Sequence, residues 1–276
     1  MTKYHPITQK RSRPFLKWAG GKYRLVDRLA PHLHGRKLIE PFVGSGAVFL
    51  NFDFDKYLLG DINPDLVNLY LCLQKEKGKF VKYAKSFFTA ENNKQKSYNE
   101  LRLEFNSGVK GRRRAAIFVY LNRHGFNGLC RYNKSHKFNV PFGKYVKPYF
   151  PEKEMVHFIS HARHAKFVCG DFVSLMNRAR KGDVVYCDPP YVPLSPTASF
   201  TSYASQGFSY DQQIELAYRA KKLSGRGVKV IISNHDTSMT REIYEDALIE
   251  SFPVRRFISC DGSKRDHANE LFAIYG

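Results

Sequence analysis

Cysteine is scarce and irregularly placed: the five thiols, Cys72, Cys130, Cys169, Cys187 and Cys260, are odd in number and share no paired spacing. They indicate neither a disulfide framework nor a cysteine-built zinc site, and reduced thiols suit their mostly apolar surroundings. The ten histidines show no ligand-like clustering either. His32 and His34 read as polar residues at a helix end, and His161 with His164 as a surface pair, so no metal site is expected. No apolar run is long enough to span a bilayer, and the basic, polar stretch through Arg13 lacks the apolar centre of a signal peptide. No membrane partner is therefore expected, and the cytoplasm is the default compartment. Acidic residues are also in short supply, 25 Asp plus Glu against 45 Lys plus Arg, which leaves a net charge of +20. That balance suits a polyanionic partner.

What is present divides by texture. Residues 13–75 and 151–276 alternate strand-like and helix-like runs, whereas 76–150 are polar, basic and aromatic. The 276 residues, 43% hydrophobic, are enough to bury a full core as one large domain with a smaller one inserted. Strand candidates are Lys37 to Glu40, Tyr57 to Gly60, Lys166 to Cys169, Asp183 to Cys187 and Val228 to Ser233; helical runs include Phe172 to Arg178 and Asp211 to Leu223. This order predicts a doubly wound α/β fold with an insertion. Within the insertion, Arg112 to Arg123 reads as a helix that Gly125 and Gly128 end, forming a loop able to approach a nucleic acid. Lys110-Gly111-Arg112-Arg113-Arg114 and the later basic residues, interleaved with Phe126, Tyr132, Phe138, Phe142 and Tyr145, favour nucleic acid over a merely solvated face.

Chemistry concentrates where Asp183 to Cys187 ends, at Asp188-Pro189-Pro190-Tyr191. Ligands of open α/β sheets bind beyond the carboxyl ends of such strands. Neither proline has an N–H, so the turn offers carbonyl acceptors and the Asp188 carboxylate. Two acceptors match one planar amine, and Tyr191 can stack on the ring that bears it. A strand-end turn with a capping acid is the plainer alternative. Glu40-Pro41-Phe42-Val43-Gly44-Ser45-Gly46 follows another strand candidate and permits close backbone approach to a ligand, although Gly-Ser-Gly is often only a turn. Asp61, after Tyr57 to Gly60, is placed to reach the ribose hydroxyls of a nucleoside cofactor. The only tryptophan lies in Lys17-Trp18-Ala19-Gly20-Gly21-Lys22, which is no phosphate loop, because the Gly-x4-Gly-Lys-Ser/Thr pattern is missing and Tyr23 follows the lysine.

In that order, the Lys-Trp-Ala-Gly-Gly-Lys run, the Phe-x-Gly-x-Gly of Phe42 to Gly46, and Asp188 to Tyr191 resemble the Dam family of DNA adenine methyltransferases. Asn122-Arg123, Phe126 to Arg131 and Phe138 to Gly143 resemble its GATC-reading members from gamma-proteobacteria, and the match runs from about Arg13 to the end of the chain. The resemblance implies a Rossmann-like class I methyltransferase sheet with an inserted, mainly helical target-recognition domain. Residues 13–75 and 151–276 then bind S-adenosyl-L-methionine, and 76–150 bind double-stranded DNA.

It further implies a catalytic set of Asp188, Pro189, Pro190 and Tyr191. The implied cofactor set is Trp18, Ala19, Gly20, Lys22, Phe42, Gly44, Gly46, Asp61 and Asp188, joined by Asp171 and Phe172, although Asp171 reads equally as a helix N-cap. Lys17, Arg123, Phe126, Asn127, Leu129, Arg131, Asn139, Pro141, Lys144 and Tyr145 match DNA-facing positions. Among these, Lys17 matches a contact to the first guanine, Leu129 and Arg131 the reading of the outer G·C pair, and Pro141 packing on the thymine methyl. Phe126 and Asn127 match the pair inserted around a displaced adenine. The implied activity is methyl transfer to adenine N6 in GATC by base flipping and direct transfer, by a monomer in solution, in the service of mismatch repair, replication or gene regulation.

The sequence departs from the family with Phe126 in place of Tyr, Lys144 in place of Arg and Val146 in place of Lys. Only the last removes a phosphate contact, which bears on tightness of binding rather than on sequence reading. Two alternatives carry other expectations: methylation of RNA or of a protein amide, and DNA binding without catalysis.

Overall fold

The computed structural model describes residues 11–192, 208–254 and 268–276; Cys260 lies outside them. Its centre is a mixed sheet of seven strands in the order β3-β2-β1-β4-β5-β7-β6. The strands are β1 (Lys37–Glu40), β2 (Lys56–Asp61), β3 (Ala165–Cys169), β4 (Val184–Cys187), β5 (Lys229–His235), β6 (Leu248–Val254) and β7 (Ala268–Tyr275). The α/β class and all five expected strands are therefore present, with ends shifted by no more than two residues. Spatial proximity divides the described residues into two compact units, one holding residues 32–42 and those from 170 onward and the other holding residues 11–31 and 43–169.

In the first unit, β4 runs parallel to both β1 and β5, with Val184 opposite Leu38 and Lys229, and Tyr186 opposite Ile231. The cores of these strands are buried without interruption, as expected of parallel strands covered on both faces. The chain proceeds from β1 to β2 on one side and from β4 to β5 on the other, so order reverses at the β1–β4 pair. That reversal is where open α/β sheets form their ligand crevice, at the carboxyl ends of the strands. β7 pairs antiparallel with β5, and β6 with β7, an edge arrangement not foreseen from the sequence. Helix α8 (Tyr210–Ser224), opened by a capping box on Ser209 and Gln212, packs against β5 and β7.

In the second unit, β2 and β3 are parallel. Helix α2 (Pro64–Glu76) starts cleanly because Pro64 fills the first turn and the Asn63 side chain accepts the N–H groups of Asp65 and Leu66. The short α1 (Val26–Leu29) precedes it in the chain, three further helices, α3 (Gly78–Lys85), α4 (Gln95–Asn106) and α5 (Gly111–His124), follow it, and α6 (Glu152–His161) leads to β3. α5 is buried on all sides from Ala115 to Asn122, and α2, α3 and α4 pack around it. An aromatic cluster forms the rest of this core: Tyr70 lies 4.7 Å from Phe158 and 5.2 Å from Phe167, and Phe15 sits edge-on to Phe158 at 5.2 Å.

The basic run at the start of α5 is not an open cationic track. Arg112 pairs with Glu76 at 2.9 Å, Arg113 with Glu104, and Arg114 with Asp65. The sequence showed these charges without their partners, which are distant in the chain. The expectation that this run adds to a nucleic-acid footprint is corrected to that extent.

A buried acid fastens the start of the first-unit sheet. The Asp183 side chain is fully inaccessible and meets Lys37 Nζ at 2.8 Å and Arg36 Nη2 at 3.2 Å, while accepting the Arg180 N–H at 2.9 Å. Removing a buried partner strands the groups it satisfied. Asp183→Ala is expected to destabilise the fold by about 3 kcal/mol in urea unfolding, whereas a conservative change at the exposed Arg36 should do little.

Candidate active site and nucleic-acid interface

The end of β4 is built by the end of β5. Ser233, wholly buried, lies 3.1 Å from Asp188 Oδ1 and 3.0 Å from the Tyr186 hydroxyl. Its single proton goes to the carboxylate, so Tyr186 donates to Ser233 and Ser233 donates to Asp188. Burial holds the Tyr186 phenol far above its usual range, with the Asp188 charge adding to the effect, and keeps it a donor. The next residue, Asn234, accepts the Val192 N–H at 3.0 Å, and His235 Nδ1 donates to the Val192 carbonyl at 2.6 Å. Gln213 of α8 reaches the Pro190 carbonyl at 3.0 Å. Tyr191 donates its hydroxyl to Glu270 at 3.1 Å and sets its ring edge-on to His235 at 4.8 Å.

Asp188 to Tyr191 is thus a scaffolded turn whose orientation is held from three other elements. Ser233, Asn234, His235, Gln213 and Glu270 were not foreseen as part of the site. For Ser233, Asn234 and His235 the one sequence signal is the switch from apolar to polar residues at the end of the β5 run.

In the same unit, Phe42 stacks on Phe172 at 5.6 Å, and Phe208 meets both rings, at 5.6 and 5.5 Å. Phe208 was likewise unforeseen. Asp171 is the N-cap of α7 (Phe172–Met176), accepting the Ser174 N–H at 2.9 Å.

The second unit carries the other expected cofactor positions. Gly44 has φ +48°, and a Cβ there would come within 2.9 Å of Trp18 Nε1, so the loop needs glycine to lie against the indole. The Gly44 N–H donates to Asp61 Oδ2 at 3.1 Å and the Asn63 N–H to Asp61 Oδ1 at 2.9 Å. Burial raises the Asp61 carboxyl, and these backbone donors oppose the rise. Tyr70 fixes the loop from below by donating to the Gly44 carbonyl at 2.5 Å. Lys22 is buried and donates to the Gly20 carbonyl at 2.6 Å. Ile62, directly after Asp61, is 73% exposed, an apolar side chain held out beside a polar strand end.

Asn122 joins Lys17 to the loop after α5. Fully buried, it accepts the Lys17 N–H at 2.9 Å and donates to the carbonyls of Lys17 and Gly128 at 2.8 and 2.9 Å. Gly128 has φ +65°, and a Cβ there would overlap the Lys17 side chain. Lys17 Nζ sits 4.3 Å from the centre of the Tyr145 ring, and the Tyr145 hydroxyl accepts the Asn127 N–H at 3.0 Å. Phe126 is half exposed at the tip, tied through its N–H to the Pro141 carbonyl at 2.9 Å.

Arg131 is pre-oriented by Asn139, donating Nε to its side-chain oxygen at 2.8 Å and Nη2 to its carbonyl at 3.3 Å. Leu129 is half-buried, Pro141 exposed, and Lys144 exposed with φ +55°. Val146 is 98% exposed. Arg123 behaves differently from its neighbours: its guanidinium donates to the Phe15 carbonyl and lies over the Tyr149 ring at 5.6 Å. No group of three or more metal-ligating side chains, and no helix apolar and long enough to cross a membrane, occurs among the described residues.

In the first unit a buried parallel strand ends in an acid and prolines, and the second unit holds a glycine loop closed on another strand-end acid and a loop presenting an exposed aromatic. The family model of the D12 class of N6 adenine-specific DNA methyltransferases matches residues 18–256, and the chain belongs to that family. It is 50% identical over 268 residues to a DNA adenine methylase of Vibrio cholerae, covering 96% of this chain and 97% of the relative. Its identity to the DNA adenine methylase of Escherichia coli K12 is 50% over 267 residues, 96% of each chain. With the DNA adenine methylase of Serratia marcescens it is 51% over 268 residues, 96% of this chain and 99% of the relative. The protein is an adenine-specific DNA methyltransferase.

The loop after α5 rests on a titratable core residue. His124 is buried, stacks on Tyr120 at 3.9 Å, and its carbonyl accepts the Gly143 N–H at 2.8 Å. Burial pushes its imidazole from 6.5 down to about 4. Between those values the unfolded chain binds a proton that the folded chain refuses, so stability falls as pH drops from 6.5 and the loss ends near 4. The full loss attributable to this group is about 3 kcal/mol. Urea unfolding from pH 7 to 4.5 should show this decline in the wild type and a flatter profile in His124→Phe.

Proposed function

We propose that the enzyme transfers a methyl group from S-adenosyl-L-methionine to N6 of adenine within GATC in double-stranded DNA, after turning the adenine out of the helix. The observation that carries this reading is the Tyr186–Ser233–Asp188 relay, which holds a carboxylate acceptor at the β1–β4 reversal of strand order. An exocyclic amine is a weak nucleophile because its lone pair is delocalised into the ring. Accepting its hydrogens at the Asp188 carboxylate and the Pro189 carbonyl favours a pyramidal nitrogen with its lone pair aimed outward. Pro190 is the less suited of the two prolines, since its carbonyl already serves Gln213. Tyr191, oriented through Glu270 and His235, stacks on the base and offsets part of the few kcal/mol that unstacking costs.

The residues fit the cofactor. Asp61 receives the Gly44 N–H on one oxygen and the Asn63 N–H on the other, which leaves room for ribose hydroxyls, and the Gly44 backbone approaches closely because a side chain there would strike Trp18. Trp18, Ala19, Gly20, Lys22, Phe42, Gly44, Gly46, Asp61 and Asp188 would hold it, with Ile62 offering an apolar face for its adenine. Asp171 is the weakest of the expected set, since capping α7 already accounts for it, and Phe172 contributes through its stack on Phe42. When bound, the cofactor supplies a methyl group already activated by sulfonium. The chain's own groups then need only align and accept, and no covalent enzyme intermediate is required.

For DNA, residues 76–150 are read as the target-recognition segment. Phe126 and Asn127 enter the space around the displaced adenine, Leu129 and Arg131 read the outer G·C pair, Pro141 packs on the thymine methyl and Lys17 meets the first guanine. Asn139 and Tyr145 hold Arg131 and Lys17 in place, and Lys144 adds positive charge. Arg123, anchored on Phe15, supports the loop from behind. We read the protein as a cytoplasmic monomer marking DNA for mismatch repair, replication or gene regulation.

Transfer of labelled methyl groups to a GATC duplex, a GATC-free duplex and structured RNA tests the reading: labelling confined to the GATC duplex is expected, and labelling of RNA alone would overturn it. Asp188→Ala should abolish transfer while DNA affinity stays within a few-fold; near-wild-type turnover would refute the assigned role. Arg131→Ala should relax discrimination at the outer pair by about 1–3 kcal/mol across a near-cognate panel.

A further inference from the structure

Both neighbours of Arg131 are fastened to the turn that follows β2. Asp65, in the first turn of α2, is almost completely buried, and its carboxylate accepts Arg114 through Nε and through Nη2, the latter at 3.0 Å. The same carboxylate accepts the Tyr132 hydroxyl at 2.6 Å. Arg114 is itself fixed, donating to the Phe105 carbonyl at 2.7 Å and lying 3.9 Å from the Phe105 ring. On the other side of Arg131, Cys130 Sγ receives Asn63 Nδ2 at 3.7 Å. Asn63 also donates its N–H to Asp61 at 2.9 Å.

We propose that Asp65 and Tyr132 are positioning residues for sequence discrimination: their hydrogen bond locks the backbone of Arg131 to the Asp61–Asp65 turn, so that the base-reading arginine and the cofactor-side strand end move as one body. The inference rests on the functional reading above, in which Arg131 reads a base and Asp61 faces the cofactor. Asn139 orients the guanidinium, but a side chain held at its tip still swings if its backbone shifts. A bidentate arginine–guanine contact tolerates little such error, whereas turnover on an already seated cognate duplex depends on Asp188 and its neighbours. Burial and the adjacent Asp65 charge keep the Tyr132 phenol protonated, so it remains the donor. The predicted signature is loss of discrimination without loss of cognate turnover.

Tyr132→Phe removes only the hydroxyl and leaves the ring packed edge-on against Phe138 at 5.7 Å. Steady-state kinetics on a GATC duplex and on duplexes altered at the outer pair, with thermal unfolding of each protein, test the inference alongside wild type and Arg131→Ala. For Tyr132→Phe, the ratio of kcat/KM between cognate and altered duplexes should fall about tenfold, the loss of one hydrogen bond to a charged group, with cognate kcat within about twofold. Asp65→Asn, which leaves one acceptor oxygen and turns an amide donor toward Arg114, should lower the same ratio at least as far and lower the melting temperature as well.

An unchanged ratio in Tyr132→Phe, with wild type selective and Arg131→Ala relaxed, overturns the positioning role and leaves the functional reading intact. A lowered melting temperature with equal loss on every duplex also overturns it, because a merely structural contact predicts that. A wild type indifferent to GATC overturns both.

Discussion

The hydrogen bond from Ser233 to Asp188 depends on the pairing of β4 with β5, in which Cys187 lies opposite Ile232 and the next residue on each strand is the polar one. A one-residue slip would move every side chain of the strand to the opposite face, against close-packed neighbours of different shape, so the packing on both sides of β4 and β5 fixes this pairing. Once it is fixed, three consecutive residues of β5 reach the turn after β4, at Asp188, at Val192 and around Tyr191. The apolar strand cores and the polar strand ends are therefore one construction: the first sets the register, and the second spends it on aiming an acceptor.

The second unit uses the same principle with side-chain amides. Asn122 and Asn63 each satisfy several backbone or side-chain groups from chain segments far apart, which is what makes short loops rigid without a long ladder of hydrogen bonds. Positive-φ backbone at Gly44, Asn127, Gly128 and Lys144 marks the same loops. The glycines adopt such conformations without strain, whereas Asn127 and Lys144 keep them only where the surroundings impose them. Here Trp18, Lys17 and Tyr145 supply those surroundings, placing the side chains assigned to cofactor and DNA against one another in sequence and in space within this unit.

Much of this was legible in the chain. β1, β2, β4 and β5 announced themselves as apolar runs ended by acids, prolines or polar residues, and α5 and α8 as apolar periodicity with clear ends. The edge strands were not legible, because β6 is half exposed along its length and contains Pro253, so it lacks both the continuous and the alternating pattern. α4 was missed for a similar reason, burying only Tyr98 and Phe105. The roles proposed for Asp188 and Arg131 rest on local pattern and family resemblance. Ser233, Glu270 and Asn122 as partners could not be found that way, since their roles arise from strand register and long-range contact. The run Arg112 to Arg114 shows the converse: charge visible in sequence and neutralised by Glu76, Glu104 and Asp65, which only the fold brings near.

The account stands on delivery of an unstacked adenine to the carboxylate at the end of β4. Placing 2-aminopurine at the adenine of GATC and recording its fluorescence on addition of the enzyme measures that delivery directly. A strong rise is expected with wild type and with Asp188→Ala alike, because the proposed function assigns the turning-out of the base to Phe126 and its loop rather than to the acceptor. Unchanged fluorescence in a complex that still methylates the unmodified duplex would contradict the account.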